Sequence, residues 1–376
     1  MKSLVDKSLF LGLDICTWLY SGAETPTLRG SLDAVNEYLH MRSKGPLGRE
    51  RNSLVEAVCK QNVARLLHGR VDDIALISNT SEAIGIIAGS IPFRQGDNII
   101  INTLEFPSGV LPWLGLQQKG VEVRVVGHTD WQVSIEDILD QVDNRTRLVM
   151  TSHVSYMSGS RMDYRRLYQS LKKTDALLLL DVTQSMGVVP VYLEDTDFIV
   201  CSSYKWLLSI HGAGILAVNQ SDRVRDLVFR TPGWRSIQDQ FGPNRFETYT
   251  LHEDARRYER GFPSYASLYS LAYSTGFLAD VGIENVEQHV LRLGDELIEQ
   301  VRTRGYEVMT PDEPSQRAGN ISIVCDQGSM VAGRLQQQDV YAWGGDGRVR
   351  ASIHLFNDSA DVEKFIELLP DPSSLK

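Results

Sequence analysis

The 376-residue sequence has few cysteines and no long apolar run. Its four cysteines, Cys16, Cys59, Cys201 and Cys325, are dispersed, with no CxxC pair and no metal-type spacing. This excludes a disulfide scaffold and a cysteine-based zinc site, and it is typical of reduced thiols in a cytoplasmic protein. The apolar run at residues 176–180 is far too short to cross a bilayer. Charged residues interrupt the N-terminal apolar positions, so we expect neither a membrane segment nor a signal peptide.

Basic residues are also scarce relative to acidic ones. The sequence has 38 Lys and Arg against 48 Asp and Glu, a formal net charge of −10. This balance argues against nucleic acid or an anionic membrane surface as the main partner. An anionic ligand must therefore be bound by local donors. The apolar content of 42% is that of an ordinary folded protein, and the length favours two domains.

Short apolar runs alternate with helical patterns from about residue 50 to about residue 220. The predicted strands are residues 74–78, 98–102, 121–126, 148–152, 177–181, 198–201 and 214–218. Nearly all-apolar strands separated by helices predict an α/β fold with a mostly parallel central sheet that is covered on both faces. The carboxyl ends of such strands are where ligands bind.

The pattern changes near residue 280, where a long helix precedes strands predicted at 321–325, 340–343 and 349–353. We therefore predict a large domain at residues 20–255 and a small α+β domain formed by residues 1–19 and 256–376. The polar and aromatic stretch 236–254 carries few helix or strand signals. It predicts a long excursion from the large domain, directed toward a partner subunit.

Two candidate sites follow predicted strands and carry hydroxyl or carboxylate groups. Asn79 and Glu82 form a capping-box pattern that places the hydroxyls of Thr80 and Ser81 at a helix N-terminus, where anions bind. A plain helix cap is the alternative. Asp181 ends a buried strand, where a carboxylate needs a cation or a donor, such as a protonated heterocycle nitrogen. Its alternative is a cap of the next helix.

Three basic candidates have similar positions. Lys205 follows a strand that ends in Ser-Ser, and partial desolvation there would lower its pKa and favour a Schiff-base nucleophile over a lysine that extends to the surface. His153 also follows a strand, and a structural histidine is its alternative. Arg350 lies in an apolar strand, where it would bind a carboxylate or form an internal ion pair.

Together these groups meet the needs of pyridoxal phosphate acting on an α-amino acid. With its motifs in this order, the chain resembles the class V aminotransferase family of fold-type I pyridoxal-phosphate enzymes. The most specific part of the resemblance is SSYKWLLSIHGAGILAV at residues 202–218. The resemblance implies a large domain with a mostly parallel sheet, a small α+β C-terminal domain and a homodimer.

The resemblance also implies how the cofactor is held. Lys205 matches the lysine that forms the internal aldimine, Asp181 the carboxylate on the pyridine nitrogen, and Gln184 the residue near the ring hydroxyl. The matched phosphate ligands are Thr80, Ser81 and Ser202, and Tyr204 occupies a cofactor-binding position where the family often has a phosphate-binding histidine.

Three further positions are implied by the same resemblance. Phe106 matches the residue that stacks on the cofactor ring, and His153 lies on a strand end beside the cofactor, as a catalytic candidate. Arg350 matches the arginine that holds the substrate carboxylate. Tyr156 stands where many relatives have an asparagine near the ring.

One departure from the family pattern bears on the reaction. Cysteine desulfurases carry a nucleophilic cysteine shortly before the arginine that binds the substrate, and residues 341–348 contain none. We therefore expect a C–S lyase or an aminotransferase that abstracts the α-proton of a small amino acid, and not a desulfurase that forms a persulfide. An epimerase similar to isopenicillin N epimerase and a non-catalytic homologue remain alternatives. The motifs name neither the amino acid nor the reaction.

Overall fold

The computed structural model describes residues 1–375 and contains two sheets. The strands are β1 (Thr17–Leu19), β2 (Ile74–Ile77), β3 (Asn98–Asn102), β4 (Glu122–Val126), β5 (Thr146–Ser152), β6 (Leu177–Asp181), β7 (Phe198–Ser202), β8 (Gly214–Val218), β9 (Asn320–Val324), β10 (Val340–Gly345) and β11 (Arg348–Ser352). The larger sheet has the order β2-β8-β7-β6-β5-β3-β4. Strand β8 runs antiparallel to both of its neighbours, and the remaining pairs are parallel. The predicted mostly parallel sheet is confirmed.

Ten α-helices occur within the described residues. They are α1 (Arg29–Arg42), α2 (Pro46–Leu66), α3 (Thr80–Ser90), α4 (Leu111–Leu114), α5 (Ile135–Asp140), α6 (Tyr164–Leu171), α7 (Tyr265–Val281), α8 (Ile283–Thr303), α9 (Gly328–Gln336) and α10 (Ser359–Leu368). None of the helices in residues 1–375 is long and apolar enough to span a bilayer.

The central strands are buried on both faces. In β6, Leu178 belongs to the apolar cluster on one face of the sheet and Leu179 to the cluster on the other, and neither side chain is exposed. Successive side chains of a strand point to opposite faces, so a strand between two helical layers must be apolar throughout. This explains why runs of leucine, isoleucine and valine predicted the strands.

The smaller sheet has the order β1-β10-β11-β9. Strand β1 pairs with β10 in parallel, so the N-terminal segment joins strands from the other end of the chain. Strands β10 and β11 are joined by Asp346 and Gly347 alone, with φ values of 45° and 73°. Positive φ at both positions is the geometry of a type I′ hairpin turn. The proposed domain boundaries at residues 19 and 255 stay a prediction.

Helix α7 packs against α1 and α2, and the sequence patterns predicted neither α7 nor α1. Most of the apolar side chains of α7 are buried, among them Leu268, Leu271 and Leu278. A helix covered on most sides shows no polar face, so its sequence lacks the periodicity by which helices are recognised.

The 236–254 excursion has no helix or strand, as expected, apart from an isolated bridge between Ile237 and Leu251.

The burial of β6 on both faces leads to a stability prediction. We expect Leu178→Ala and Leu179→Ala each to lower the free energy of unfolding by about 2–5 kcal/mol, because each change leaves a cavity in a packed layer. The control is Val125→Ala on the edge strand β4, where the side chain is 56% exposed, and it should cost less than about 1 kcal/mol. Urea unfolding measures all three. A loss in only one leucine variant would contradict packing on both faces.

Candidate active site

A cavity of about 240 Å³ lies at the carboxyl end of the central strands. The predicted cofactor-binding residues all line it, namely Thr80, Ser81, Phe106, Asp181, Gln184, Ser202, Tyr204 and Lys205. Tyr156, Thr183 and His211 line it as well. The site is assembled because β5, β6 and β7 are parallel neighbours, so the residues at their carboxyl ends converge.

One end of the cavity is a cluster of hydroxyls at the N-terminus of α3. The Thr80 hydroxyl lies 2.7 Å from the Ser202 Oγ and 3.2 Å from the Thr183 Oγ1. Asn79 caps the helix by accepting a hydrogen bond from the Glu82 backbone at 2.9 Å. The Glu82 carboxylate accepts from the Ser78 backbone, not from Asn79, so the predicted capping box is only half formed. Hydroxyls and the first N–H groups of a helix suit a phosphate.

Two rings border the cavity beside Ser202. The Tyr204 ring stacks on His211 with their centroids 3.7 Å apart, and burial raises the pKa of the tyrosine. Both residues line the cavity together with Ser81, which lies in the first turn of α3. The sequence predicted Tyr204 at a cofactor-binding position, and the structure places it near the hydroxyl cluster. His211 was not predicted.

Asp181 carries a buried carboxylate at the end of β6. It is 7% exposed, and its Oδ1 accepts a hydrogen bond from the Thr183 backbone at 2.8 Å. Burial raises the pKa of this carboxyl, and no ion pair within the described residues includes it. A buried carboxylate in this state is stabilised by a cationic donor, which a protonated ring nitrogen would supply.

Lys205 provides an amine in the same cavity. Its Nζ lies 5.6 Å from the centroids of both the Phe106 and the Tyr204 rings. Burial, together with the nearby charge of Arg350, lowers the pKa of Lys205 to about 8. A substantial fraction of the amine is therefore neutral near pH 8, which is the form that reacts with an aldehyde or accepts a proton.

Gln184 has an amide of fixed orientation. Its Oε1 accepts hydrogen bonds from the Trp206 indole at 2.8 Å and from the Asn320 amide at 2.9 Å. Its Nε2 donates to the Gly22 carbonyl at 2.9 Å. Because an amide nitrogen carries two hydrogens, one is left for a ligand oxygen in the cavity. The position of Gln184 near a ring hydroxyl stays a prediction.

Phe106 is held by its neighbour Glu105, which sequence reasoning missed. Oε1 of Glu105 accepts hydrogen bonds from the Asn102 amide at 2.6 Å and the Ser152 backbone at 2.7 Å, and its Oε2 accepts from the Ser152 hydroxyl at 2.6 Å. These contacts tie the loop after β3 to the end of β5. Burial raises the pKa of Glu105 to about 7. Phe106 itself is 48% exposed and lines the cavity.

Arg350, the predicted substrate-binding residue, lies on β11, is 3% exposed and is not among the residues that line the cavity, although it contacts Tyr156, which lines it. Its Nη1 donates to the Tyr156 carbonyl at 2.8 Å, whereas its buried Nε has no partner among the described residues. Gly22 leaves space at this guanidinium, since a Cβ there would lie 2.9 Å from the Arg350 Cζ. An unpaired buried N–H beside a glycine is suited to an incoming carboxylate.

His153 does not fit the expectation that it is catalytic. Ser152 and Val154 line the cavity, and the intervening His153 side chain lies outside it, at 4.8 Å from the Tyr164 ring and within 3.3 Å of the Arg161 Nε. Burial lowers the pKa of His153 well below its usual value. Its backbone N–H donates to the Asp181 carbonyl at 2.9 Å and so extends the pairing of β5 with β6.

This arrangement agrees with comparisons with known proteins. The model of the aminotransferase class-V family matches residues 17–365. The chain belongs to this family. Its members depend on pyridoxal phosphate, and the chain is therefore a pyridoxal-phosphate protein of fold type I.

Individual relatives are distant but cover nearly the whole chain. A probable cysteine desulfurase of Methanothermobacter thermautotrophicus is 27% identical, covering 92% of this chain and 91% of the relative. An apo cysteine desulfurase from Thermococcus onnurineus NA1 superposes with a TM-score of 0.88 at 22% identity, covering 98% of each chain. The cystine C–S lyase C-DES, solved with cysteine persulfide, superposes with a TM-score of 0.87 at 18% identity, covering 95% of this chain and 98% of the lyase.

The cavity fits pyridoxal phosphate by its donor set. The hydroxyl cluster and the α3 N-terminus suit the phosphate, the unpaired Asp181 suits the ring nitrogen, and Lys205 suits the aldehyde carbon. We did not predict Thr183 from the sequence, although its position two residues after a strand-ending aspartate was a usable signal. Glu105 offered no such signal, because its partners at Asn102 and Ser152 are brought together only by the sheet.

Glu105 leads to a pH-dependent prediction. Because burial raises the pKa from 4.5 to about 7, the native state binds this proton more tightly than the unfolded state does. The stability contribution is complete below pH 4.5 and is lost as the pH rises to about 7. We expect the unfolding free energy of the wild type, relative to Glu105→Gln, to fall by about 3 kcal/mol across this window.

Urea unfolding of the apoprotein at a series of pH values measures this difference. The matched control is Glu50→Gln, an exposed carboxylate on α2, whose stability profile should run parallel to that of the wild type. Parallel profiles for the wild type and Glu105→Gln would show that Glu105 keeps an ordinary pKa in the fold.

Proposed function

We propose that the chain is a pyridoxal-phosphate enzyme that removes the α-proton of a small amino acid, as a C–S lyase or an aminotransferase. The observation that carries the proposal is the position of the Lys205 amine in one cavity with the unpaired Asp181 carboxylate. Pyridoxal phosphate, when bound, supplies an electron sink for the negative charge that develops at the α carbon.

The residues of the chain then have separate tasks. Asp181 would accept a hydrogen bond from a protonated ring nitrogen, because a buried carboxylate is stabilised by such a donor. Lys205 would hold the cofactor and would take the α-proton of the substrate at Nζ, for which a pKa of about 8 is well suited. Arg350 binds the substrate carboxylate and so fixes the orientation of the bond that breaks. Phe106 and Tyr156, with ring centroids 5.2 Å apart, both line the cavity.

The short β10–β11 hairpin favours this proposal over desulfuration through a protein persulfide. Its turn consists of Asp346 and Gly347, which leaves no loop to carry a nucleophilic cysteine toward the substrate. Cys325 lies next to this turn but is 6% exposed, and burial raises the pKa of its thiol. A thiol in that state is a poor nucleophile.

A desulfurase is the second candidate because the relatives and neighbours described above include proteins named cysteine desulfurases. The three chemistries give different products from L-cysteine or L-cystine. A lyase forms pyruvate without an added keto acid, and an aminotransferase requires a keto acid as amino acceptor. A desulfurase forms alanine and leaves the sulfur as a persulfide on a protein cysteine.

We expect pyruvate, or keto-acid-dependent transamination, with no alanine and no persulfide on the peptide that contains Cys325. Product analysis and mass mapping of the alkylated protein measure these outcomes. As a matched control, Cys325→Ser should keep the wild-type activity. Alanine together with a protein persulfide would contradict the proposal. Exchange of solvent deuterium into the α carbon with loss of optical rotation would instead identify an epimerase.

We further propose that the chain acts as a homodimer in which the 236–254 excursion contacts the partner. Its aromatic side chains Phe241 and Phe246 are 79% and 86% exposed, an unusual condition for phenylalanine in a folded monomer. We expect a second copy of the chain to bury these two rings, since the family forms dimers around its active sites.

Sedimentation velocity tests this assembly. We expect a single dimer species for the wild type, and dissociation at micromolar concentrations for the double variant Phe241→Ser with Phe246→Ser. Val228→Ser, which removes a 42% exposed apolar side chain outside the excursion, serves as the control and should remain dimeric. A wild-type monomer that is fully active would contradict the proposal.

A further inference from the structure

A second buried arginine lies next to the expected carboxylate site. Arg348 and Arg350 are two residues apart on β11, so their side chains leave the same face of the sheet. Their exposed fractions are 0% and 3%. Only Arg350 was predicted from the sequence to bind substrate, and the proposed reaction has no task for Arg348.

The guanidinium of Arg348 is poorly compensated. Its Nη1 makes two long contacts of 3.4 Å, to the backbone carbonyl and to the carboxylate of Asp346, and the Asp346 side chain is 62% exposed. Its Nε and Nη2 are buried and have no partner among the described residues. Burying a cation with unpaired N–H groups lowers the stability of the folded protein. An anion with two oxygens would accept hydrogen bonds from two N–H groups of the planar guanidinium.

Aromatic rings hold this cation in place without pairing its hydrogens. The Arg348 Cζ lies 4.2 Å from the Trp343 ring centroid and 5.3 Å from the Tyr156 ring centroid. Such contacts stabilise the cation and orient the guanidinium plane. The Nε–H and Nη2–H groups at the edge of the guanidinium remain free to donate hydrogen bonds.

Tyr156 connects Arg348 to the cavity. This tyrosine lines the cavity, its carbonyl accepts the hydrogen bond of Arg350, and its ring faces Arg348. A substrate whose α-carboxylate binds Arg350 would therefore have its side chain near Arg348. The pKa of Arg350 falls to about 9 because of burial and the nearby charge of Arg348. The two like charges together favour a ligand with two negative groups over one with a single carboxylate.

We propose that Arg348 is a specificity-determining residue that binds a second anionic group, a carboxylate or a sulfinate, on the side chain of the amino-acid substrate. The inference rests on the proposed function, because it takes the α-carboxylate of an amino acid to be bound at Arg350. The preferred substrates are thus short acidic amino acids.

The first test uses the wild-type holoenzyme and needs no variant. L-Aspartate and L-asparagine have nearly the same shape and differ in the charge of the side chain, so the change in cofactor absorbance on titration compares them directly. We expect L-aspartate and L-cysteine sulfinate to bind about 10–100-fold more tightly than L-asparagine and L-alanine, the range for a charge-assisted pair. Equal affinities would overturn the inference.

The second test asks whether Arg348 is the source of that preference. Arg348→Gln should lose the preference for aspartate over asparagine while its affinity for L-alanine stays within about twofold of the wild type, and Arg348→Lys should keep part of it. The matched control is Arg317→Gln, which changes another arginine with 0% exposure, just before β9. This variant should keep the full preference. An equal loss of affinity for acidic and neutral amino acids in Arg348→Gln would overturn the inference in favour of a structural role.

The outcomes separate this inference from the proposed function. If neutral amino acids change the absorbance of the cofactor on Lys205 but acidic ones bind no better, the inference fails and the proposed function stands. If no amino acid changes the absorbance, both fail.

Discussion

The parallel pairing of β5, β6 and β7 is the constraint on which the site depends. It brings Ser152, Asp181 and Ser202, which are far apart in sequence, to one edge of the sheet. Apolar side chains on both faces hold the strands in register, and a slip of one residue would expose them. The positions of the carboxylate, the hydroxyls and the amine therefore follow from the packing of the core.

The site also contains charged groups that are buried without a charged protein partner. Asp181 belongs to no ion pair of the described residues, and Arg350 and Arg348 keep unpaired buried N–H groups. Each such group lowers stability in the empty protein. A cofactor nitrogen and the anionic groups of a substrate would pair these charges, so binding energy is available at these points. The chain is acidic overall, yet its anion-binding groups are concentrated at this site.

Much of the fold and of the cavity wall was predictable from sequence, for a physical reason. Buried parallel strands must be apolar throughout, and the polar residue that ends each one is visible, as Asp181 is after four leucines. The direction of a side chain beyond a strand end is not visible, and so His153 was misplaced. Glu105 and Arg348 were missed because each contacts a residue from a distant segment, Ser152 for Glu105 and Tyr156 for Arg348. Helix α7 was missed because burial on most sides removes its periodicity.

The central claim is that Lys205 holds pyridoxal phosphate in a cavity that also contains Asp181. The most direct measurement is sodium borohydride reduction of the holoprotein, followed by peptide mapping by mass spectrometry. The account predicts that the cofactor mass is found on the peptide containing Lys205, and that Lys205→Ala carries none, whereas Lys172→Ala, a variant outside the cavity, is modified as in the wild type. A cofactor reduced onto any other lysine, or retained covalently by Lys205→Ala, would contradict it.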